Sequence, residues 1–294
     1  MNGFIGFCGE NHLLKIAHIG THFGEEPPIT GNRGSGTIFF TGCSLKCSFC
    51  QNYQISRNGL GKVVSLEEYF ASVIYMIDHD HVQNINFVTP DHFFPYTFLL
   101  VKHLRDKNYP IPVVYNLSGY QSLNMLRIAE DYSDIYLPDF KYSDPHVSNN
   151  LSGCKDYPDI ALQAIMEMIR QKGFLDSFQD PERPAKKGVL VRHLILPGMI
   201  MNSINALTML FLEFGPELPL SLMSQYQPIF QLDDTAMNRP LLKEEFDKVY
   251  SHALELGFEN MFVQFPEETP SNQTESLLFL PDFRKKEPFL GNRS

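Results

Sequence analysis

The chain predicts an α/β fold carried on a parallel sheet, on the strength of three observations. From Gly36 onward, short apolar runs of about five to eight residues, rich in β-branched side chains, alternate with longer segments of helical periodicity. The alternation yields six strand–helix units, with no domain linker, repeat or low-complexity block. Candidate polar residues gather at the carboxyl ends of the strand-like runs, where parallel sheets place functional groups. At this level a doubly wound sheet and an open barrel are both allowed.

The elements follow in order. The first thirty residues, with His18, His22, Glu25, Glu26 and Pro27-Pro28, read as a loop-rich lead-in. Gly31-Asn-Arg-Gly-Ser-Gly36 lacks the Gly-Lys-Ser/Thr ending of a phosphate-binding loop and precedes a strand, so it reads as a turn. Thr37–Thr41 is the first strand. Ser65, with Glu68 three residues on, forms a capping box for a helix whose apolar face carries Leu66, Tyr69, Phe70, Val73, Ile74 and Ile77.

Ile85–Thr89 is the second strand, with a helix at Phe98–Lys107, and Pro112–Asn116 is the third, with a helix at Gln121–Asp131. Ile135–Asp139 is the fourth. A polar segment, Ser143–Tyr157, then leads to a helix at Ile160–Gln171 and a loop rich in Pro, Lys and Asp. Val189–Leu196 gives the strongest strand signal and Pro197-Gly198 stops it. A helix at Ile204–Phe214, a sixth strand at Leu220–Tyr226 and a helix at Glu244–Leu256 complete the units, and Met261–Phe265 adds a short run. This divides the chain into a lead-in segment at 1–35, one core domain at 36–265 and a polar tail at 266–294 that lies over the surface or frays.

The chain has 294 residues, 43% of them hydrophobic, enough for a sizeable core. A formal charge of -10 argues against broad binding to nucleic acid or to an anionic membrane. No stretch is long and apolar enough for a membrane helix, and no secretory signal is apparent, so a reducing cytoplasm is the expected location.

Chemistry concentrates in one loop. Cys43, Cys47 and Cys50, three of the five cysteines, fall within eight residues in a Cys-x3-Cys-x2-Cys spacing. Thiolates are soft ligands suited to iron–sulfur clusters, zinc or copper(I). Three of them leave a cubane cluster with one open iron, able to take a substrate or cofactor, whereas clusters that only carry electrons normally have four cysteine ligands. A zinc site would need a fourth ligand, and no His, Asp or Glu lies between Gly42 and Arg57, although a remote one is allowed. An iron–sulfur electron carrier or redox sensor, and a zinc-stabilised binding protein, are the competing readings. Cys8 and Cys154 read as ordinary thiols.

The stretch Gly34-Ser-Gly-Thr-Ile-Phe-Phe-Thr-Gly-Cys-Ser-Leu-Lys-Cys-Ser-Phe-Cys-Gln-Asn-Tyr53 resembles the radical S-adenosylmethionine (SAM) superfamily, and within it the pyruvate formate-lyase activating enzyme-like (PflX) group. Glu25-Glu-Pro-Pro28, Asn86-Phe-Val-Thr-Pro90, Tyr115–Tyr120, Tyr136-Leu-Pro-Asp-Phe-Lys141, Arg192-His-Leu-Ile-Leu-Pro-Gly198 and Met223–Pro228 resemble that group too, over roughly residues 18 to 265. Members often carry further cysteines ahead of the part matching Gly6-Phe-Cys8, which this sequence does not show, so a second metal or substrate role of that extension is not expected here.

The resemblance implies a (β/α)6 partial, open TIM-type barrel, and a [4Fe-4S] cluster with three irons on Cys43, Cys47 and Cys50 and the fourth chelated by SAM. It implies that Phe49 packs near the adenine, that the strand end around Thr89 and Pro90 receives the SAM amino group, and that Lys141 meets the SAM carboxylate while Asp139 orients it or binds an ion. His193 takes a SAM-side role, Asn116 and Ser118 bond the ribose or methionine part, and Asp91 and His92 face substrate. Read without the family, Asp139 and Lys141 are a solvated loop pair, His193 is a core histidine and Asn116 and Ser118 are turn caps.

The implied reaction is reductive cleavage of SAM to a 5'-deoxyadenosyl radical that abstracts hydrogen from a substrate, such as a glycine of a glycyl-radical protein. The expected partners are an electron donor such as flavodoxin or ferredoxin and a substrate protein or small molecule, with Gln225 and Tyr226 closing the far rim of the site.

Overall fold

Strands covered on both faces need apolar side chains at consecutive rather than alternate positions. The computed structural model, which describes residues 3–178, 183–266 and 280–289, shows this in its central strands. In chain order the strands are β1 (Lys15–His22), β2 (Ser35–Phe40), β3 (Lys62–Val63), β4 (Ile85–Val88), β5 (Val113–Leu117), β6 (Ile135–Pro138), β7 (Gly188–Val189), β8 (Val191–Leu194), β9 (Leu220–Met223) and β10 (Met261–Val263). Every residue of β2, β4 and β6 is buried.

From β2 through β4, β5 and β6 to β7, and in a second sheet from β8 through β9 to β10, the strands are parallel, and, the antiparallel edge strands β1 and β3 aside, each pairs with the next in the chain. A doubly wound sheet reverses its order at a switch point; this one never does, which is the order of a barrel. The edges β3 and β10 do not pair with each other, so the barrel stays open. The expected strand at 189–196 is broken at Leu190 into β7 and β8, yet β6 remains bonded along both, through Leu190 N to Tyr136 O at 3.1 Å and Phe140 N to Arg192 O at 2.8 Å.

The helices Leu66–Tyr75, Phe94–Asp106, Leu123–Ala129, Tyr157–Lys172, Ile200–Phe214 and Lys243–Leu256 follow the strands in turn. Ser65 and Glu68 form the expected capping box. Phe87, Tyr115 and Tyr136 stand side by side across β4, β5 and β6 on the helix-facing side, where Tyr115 Oη lies 2.8 Å from Thr97 Oγ1 and Tyr136 Oη donates to Gln171 Oε1 at 2.7 Å.

The opposite, inner face is filled from the N-terminal segment. A four-residue helix, Pro27–Thr30, puts the fully buried Ile29 against Val114, Ile135, Leu137 and Leu190. Next to it Arg192 is ion-paired with both Glu25 and Glu26, all three side chains less than a tenth exposed, and Asn86 Nδ2 donates to Glu25 Oε1 at 2.9 Å. The segment expected to be a loop-rich lead-in thus holds an eight-residue strand and a plug. β1 escapes notice because Ala17, His18 and Gly20 are weak strand formers; pairing with β2 from Ile16 to His22 makes the strand.

Two further segments hold more structure than the sequence indicated. The polar stretch after β6 contains a helix, Pro145–Ser152, begun by Asp144, whose side chain accepts from His146 N at 2.7 Å. Of the tail, residues 280–289 lie over the surface and are anchored there: Phe283 is buried against Phe39 and Phe289, and its amide donates to Gln54 Oε1 at 2.7 Å. The rest of the tail and residues 179–182 of the Pro-, Lys- and Asp-rich loop lie outside the described residues.

Candidate cluster and SAM site

A parallel sheet sends each strand's carboxyl end to the same rim, and that rim collects the candidate residues. Cys43 follows β2, Thr89 follows β4, Ser118 follows β5, and Asp139 and Lys141 follow β6. The loop from Thr41 to Tyr53 is held from several sides. Gly42 N donates to Ile55 O at 2.9 Å, Cys43 N to Cys8 O at 3.2 Å and Ser48 N to Leu151 O at 2.7 Å. Gln51 Nε2 reaches Gln225 O beyond β9 at 2.6 Å.

The three loop thiols sit in a largely buried setting and feel one another. Burial first, then the neighbouring Cys47 and Cys50, pushes the Cys43 thiol up to about 12. Burial and Cys47 likewise raise Cys50, while Lys141 acts in the opposite direction. Clustered thiolates in a dry site need positive charge to neutralise them, which is what iron supplies. Among the described residues no group of three His, Cys, Asp or Glu side chains closes to the spacing of ligands on a single metal ion. A cubane asks for less, because each thiolate takes a different iron. Three neighbouring thiols in a largely buried loop are a donor set of the kind such a cluster takes.

Lys141 lies close to this loop. Its Nζ is 2.5 Å from Asp139 Oδ2. Burial by itself would lower its pKa, but Asp139 and the thiols of Cys47 and Cys50 outweigh that and hold the ammonium above its ordinary value. The rim here is locked by Tyr157, a residue the sequence did not single out. Its hydroxyl reaches both Ser118 O at 2.8 Å and Asp139 O at 2.9 Å, and accepts from Lys141 N at 3.0 Å. Gly119 allows the approach: its φ is +85°, and a Cβ there would fall 2.1 Å from Asp139 O.

On the neighbouring part of the rim, Asp91 and Gln121 form a second polar group. Gln121 Nε2 donates to Asp91 Oδ1 at 2.5 Å and to Ser118 Oγ at 3.1 Å. Burial raises the Asp91 carboxyl above its ordinary range, against the Gln121 hydrogen bond and the nearby His92. Asp91 Oδ2 and Gln121 Oε1 are buried acceptors with no protein partner among the described residues. Thr89 beside them has φ +54°, and its amide bonds Asn116 O at 3.0 Å. Asn116 is half-buried and Phe49 is buried between Tyr142 and Tyr226.

His193 sits against the backbone of this rim, bonded to the carbonyl of Phe140 between Asp139 and Lys141. It is 1% exposed and packed toward the helix Ile200–Phe214, with Nδ1 2.6 Å from Phe140 O and Nε2 2.9 Å from Ser203 Oγ. Burial pushes its pKa down to about 4. A neutral ring donating from Nδ1 and accepting at Nε2 satisfies both contacts. Both ring nitrogens of His193 are engaged by the chain itself. Tyr226 is likewise buried, its hydroxyl donating to Met237 O at 2.7 Å.

The sequence matches the radical SAM superfamily over residues 37–198. An uncharacterized protein of Methanocaldococcus jannaschii is 31% identical over 267 residues, covering 86% of this chain and 69% of the relative. The fold is similar to that of Streptococcus suis SuiB, solved bound to S-adenosylmethionine, with a TM-score of 0.51 and 10% identity over 76% of this chain and 48% of that one. It is also similar to HydG, a maturase of the [FeFe]-hydrogenase, with a TM-score of 0.50 and 15% identity over 80% of this chain and 52% of HydG. The chain thus spans about half the length of those solved structures.

Proposed function

The chain belongs to the radical SAM superfamily, enzymes that use a [4Fe-4S] cluster and SAM, and from that premise we propose that Cys43, Cys47 and Cys50 hold the cluster and the rim from Thr89 to Lys141 holds SAM. When bound, these cofactors supply one-electron cleavage of the SAM carbon–sulfur bond, giving methionine and a 5'-deoxyadenosyl radical that takes hydrogen from a substrate. The observation that carries the reading is the meeting of three thiols, two buried and one half-buried, with the Lys141 ammonium at the carboxyl ends of a parallel open barrel.

The chain's own residues then take distinct tasks. Lys141 binds the carboxylate of SAM, and Asp139, 2.5 Å from its ammonium, keeps it charged and aimed. Asp91 and Gln121 offer their two unpartnered oxygens to donors on SAM or substrate, with the backbone at Thr89 and Pro90 alongside. Asn116 and Ser118 bond the ribose or methionine part, and Phe49 contributes its apolar ring next to the adenine. His193 holds β8 against its helix.

The finer reading is that the hydrogen comes from a glycine of a partner polypeptide. The motifs shared with the activating-enzyme-like group support it, together with the need for a one-electron donor such as flavodoxin or ferredoxin. Anaerobic reconstitution with iron and sulfide is expected to give iron–sulfur absorption, and reduction in the presence of SAM to give 5'-deoxyadenosine and methionine. A colourless zinc protein, or a cluster that accepts electrons without cleaving SAM, overturns the proposal. Deuterium carried from a glycine-labelled polypeptide into 5'-deoxyadenosine tests the finer reading.

A further inference from the structure

Each of the three loop thiols receives a hydrogen bond from the chain. Leu45 N points to Cys43 Sγ at 3.4 Å, Ser56 Oγ to Cys50 Sγ at 3.3 Å and Ser152 Oγ to Cys47 Sγ at 3.2 Å. The first two donors lie close in sequence to their acceptors; Ser152 is 105 residues away. It is the last residue of the helix Pro145–Ser152, and the bond from Ser48 N to Leu151 O seats that helix end on the cysteine loop.

Behind Ser152 stands Tyr142, whose hydroxyl is 2.6 Å from Ser152 Oγ. The order of donation follows from counting protons. A ligating thiolate only accepts, and a serine hydroxyl has one proton. Ser152 therefore gives its proton to Cys47 and accepts that of Tyr142, so the relay runs Tyr142 to Ser152 to Cys47. All three residues are buried, Tyr142 at 0%, Ser152 at 8% and Cys47 at 7% exposure, where such bonds strengthen one another.

Reduction adds negative charge that the cluster shares with its thiolates, so a donor to sulfur favours the reduced form and hydrogen bonds to the sulfurs set potentials. We propose that Tyr142 with Ser152, and Ser56 independently, are positioning residues that raise the reduction potential of the cluster through Cys47 and Cys50, bringing it within reach of its one-electron donor. The inference rests on the cluster assignment above. It assigns a role to the polar segment after β6, whose sequence showed no function.

The test is redox titration of the reconstituted protein, followed by electron paramagnetic resonance of the reduced cluster. Wild-type protein that binds no cluster would refute the cluster assignment itself. With the cluster in place, Ser152→Ala and Ser56→Ala are expected to keep full iron content while the midpoint moves negative. The reduced-to-oxidised ratio at fixed potential should fall by about tenfold for Ser152→Ala, equivalent to about 59 mV for a one-electron couple.

Tyr142→Phe should move the midpoint in the same direction by less. Ser56→Thr, which keeps the hydroxyl, should restore the wild-type midpoint. If Ser152→Ala fails to hold a cluster, Tyr142→Phe and Ser56→Ala decide: a negative shift supports the proposal, and wild-type or more positive midpoints in both overturn it.

Discussion

Lys141 and His193 are both titratable side chains at least half-buried near the ends of strands, and their partners separate them. Lys141 has one protein anion, Asp139, and faces thiols; His193 has a carbonyl and a hydroxyl that complete its hydrogen bonds. Lys141→Met is expected to weaken SAM binding by about ten- to a hundredfold, the worth of one hydrogen bond to a charged group, as read by calorimetric titration of the reconstituted protein. His193→Phe should leave that affinity unchanged and instead destabilise the fold by about 1–3 kcal/mol for each orphaned partner, as read by urea denaturation. The cysteines were legible because ligation imposes a spacing on sequence. The protein partners of His193 were not, because β8 is covered on both faces and its apolar neighbours do not reveal which face the ring takes. Ser152, Tyr142 and Tyr157 were missed for a similar reason: each acts through one contact across the fold that leaves no periodic mark.

Among the elements, the strand–helix alternation was readable from β2 to β10, and the capping box at Ser65 appeared where Ser and Glu placed it. The plug Pro27–Thr30 was not readable, because four residues have no period and their helix is held by what surrounds it. Its anchor is the ion cluster of Arg192 with Glu25 and Glu26. Arg192→Met leaves two buried carboxylates without their cation and is expected to cost about 3–5 kcal/mol at neutral pH.

The pH dependence gives a second check on the same element. Although burial opposes it, Arg192 holds Glu26 below its ordinary value of 4.5 in the folded chain. The stability that this ionised pair adds is therefore complete above 4.5 and lost as pH falls through the lowered folded value. In Arg192→Met the sign reverses, since an unpaired buried carboxylate is happier protonated; urea midpoints at neutral and mildly acid pH should show the variant gaining, not losing, as pH drops toward 4.5.

For the molecule as a whole, periodicity alone left a doubly wound sheet and an open barrel equally allowed, and strand order decided between them. The tail could not be placed from sequence because its polar composition hides two anchors, Phe283 and Phe289, which meet Phe39 across the full length of the chain. Phe283→Ala should release residues 280–289, seen as faster hydrogen exchange at the amide of residue 283, with little change in the exchange of β4 and β5. The unreversed strand order also bears on synthesis at the ribosome. Each strand from β4 to β10 docks on one already emerged, so sheet growth needs only short loop closures and can keep pace with translation. The plug cannot. Glu26 waits 166 residues for Arg192, and Gln54 waits 229 for Phe283. The nascent sheet therefore spends much of its synthesis with two uncompensated carboxylates on its inner face, which keep that face wet until β8 arrives and discourage premature collapse around it.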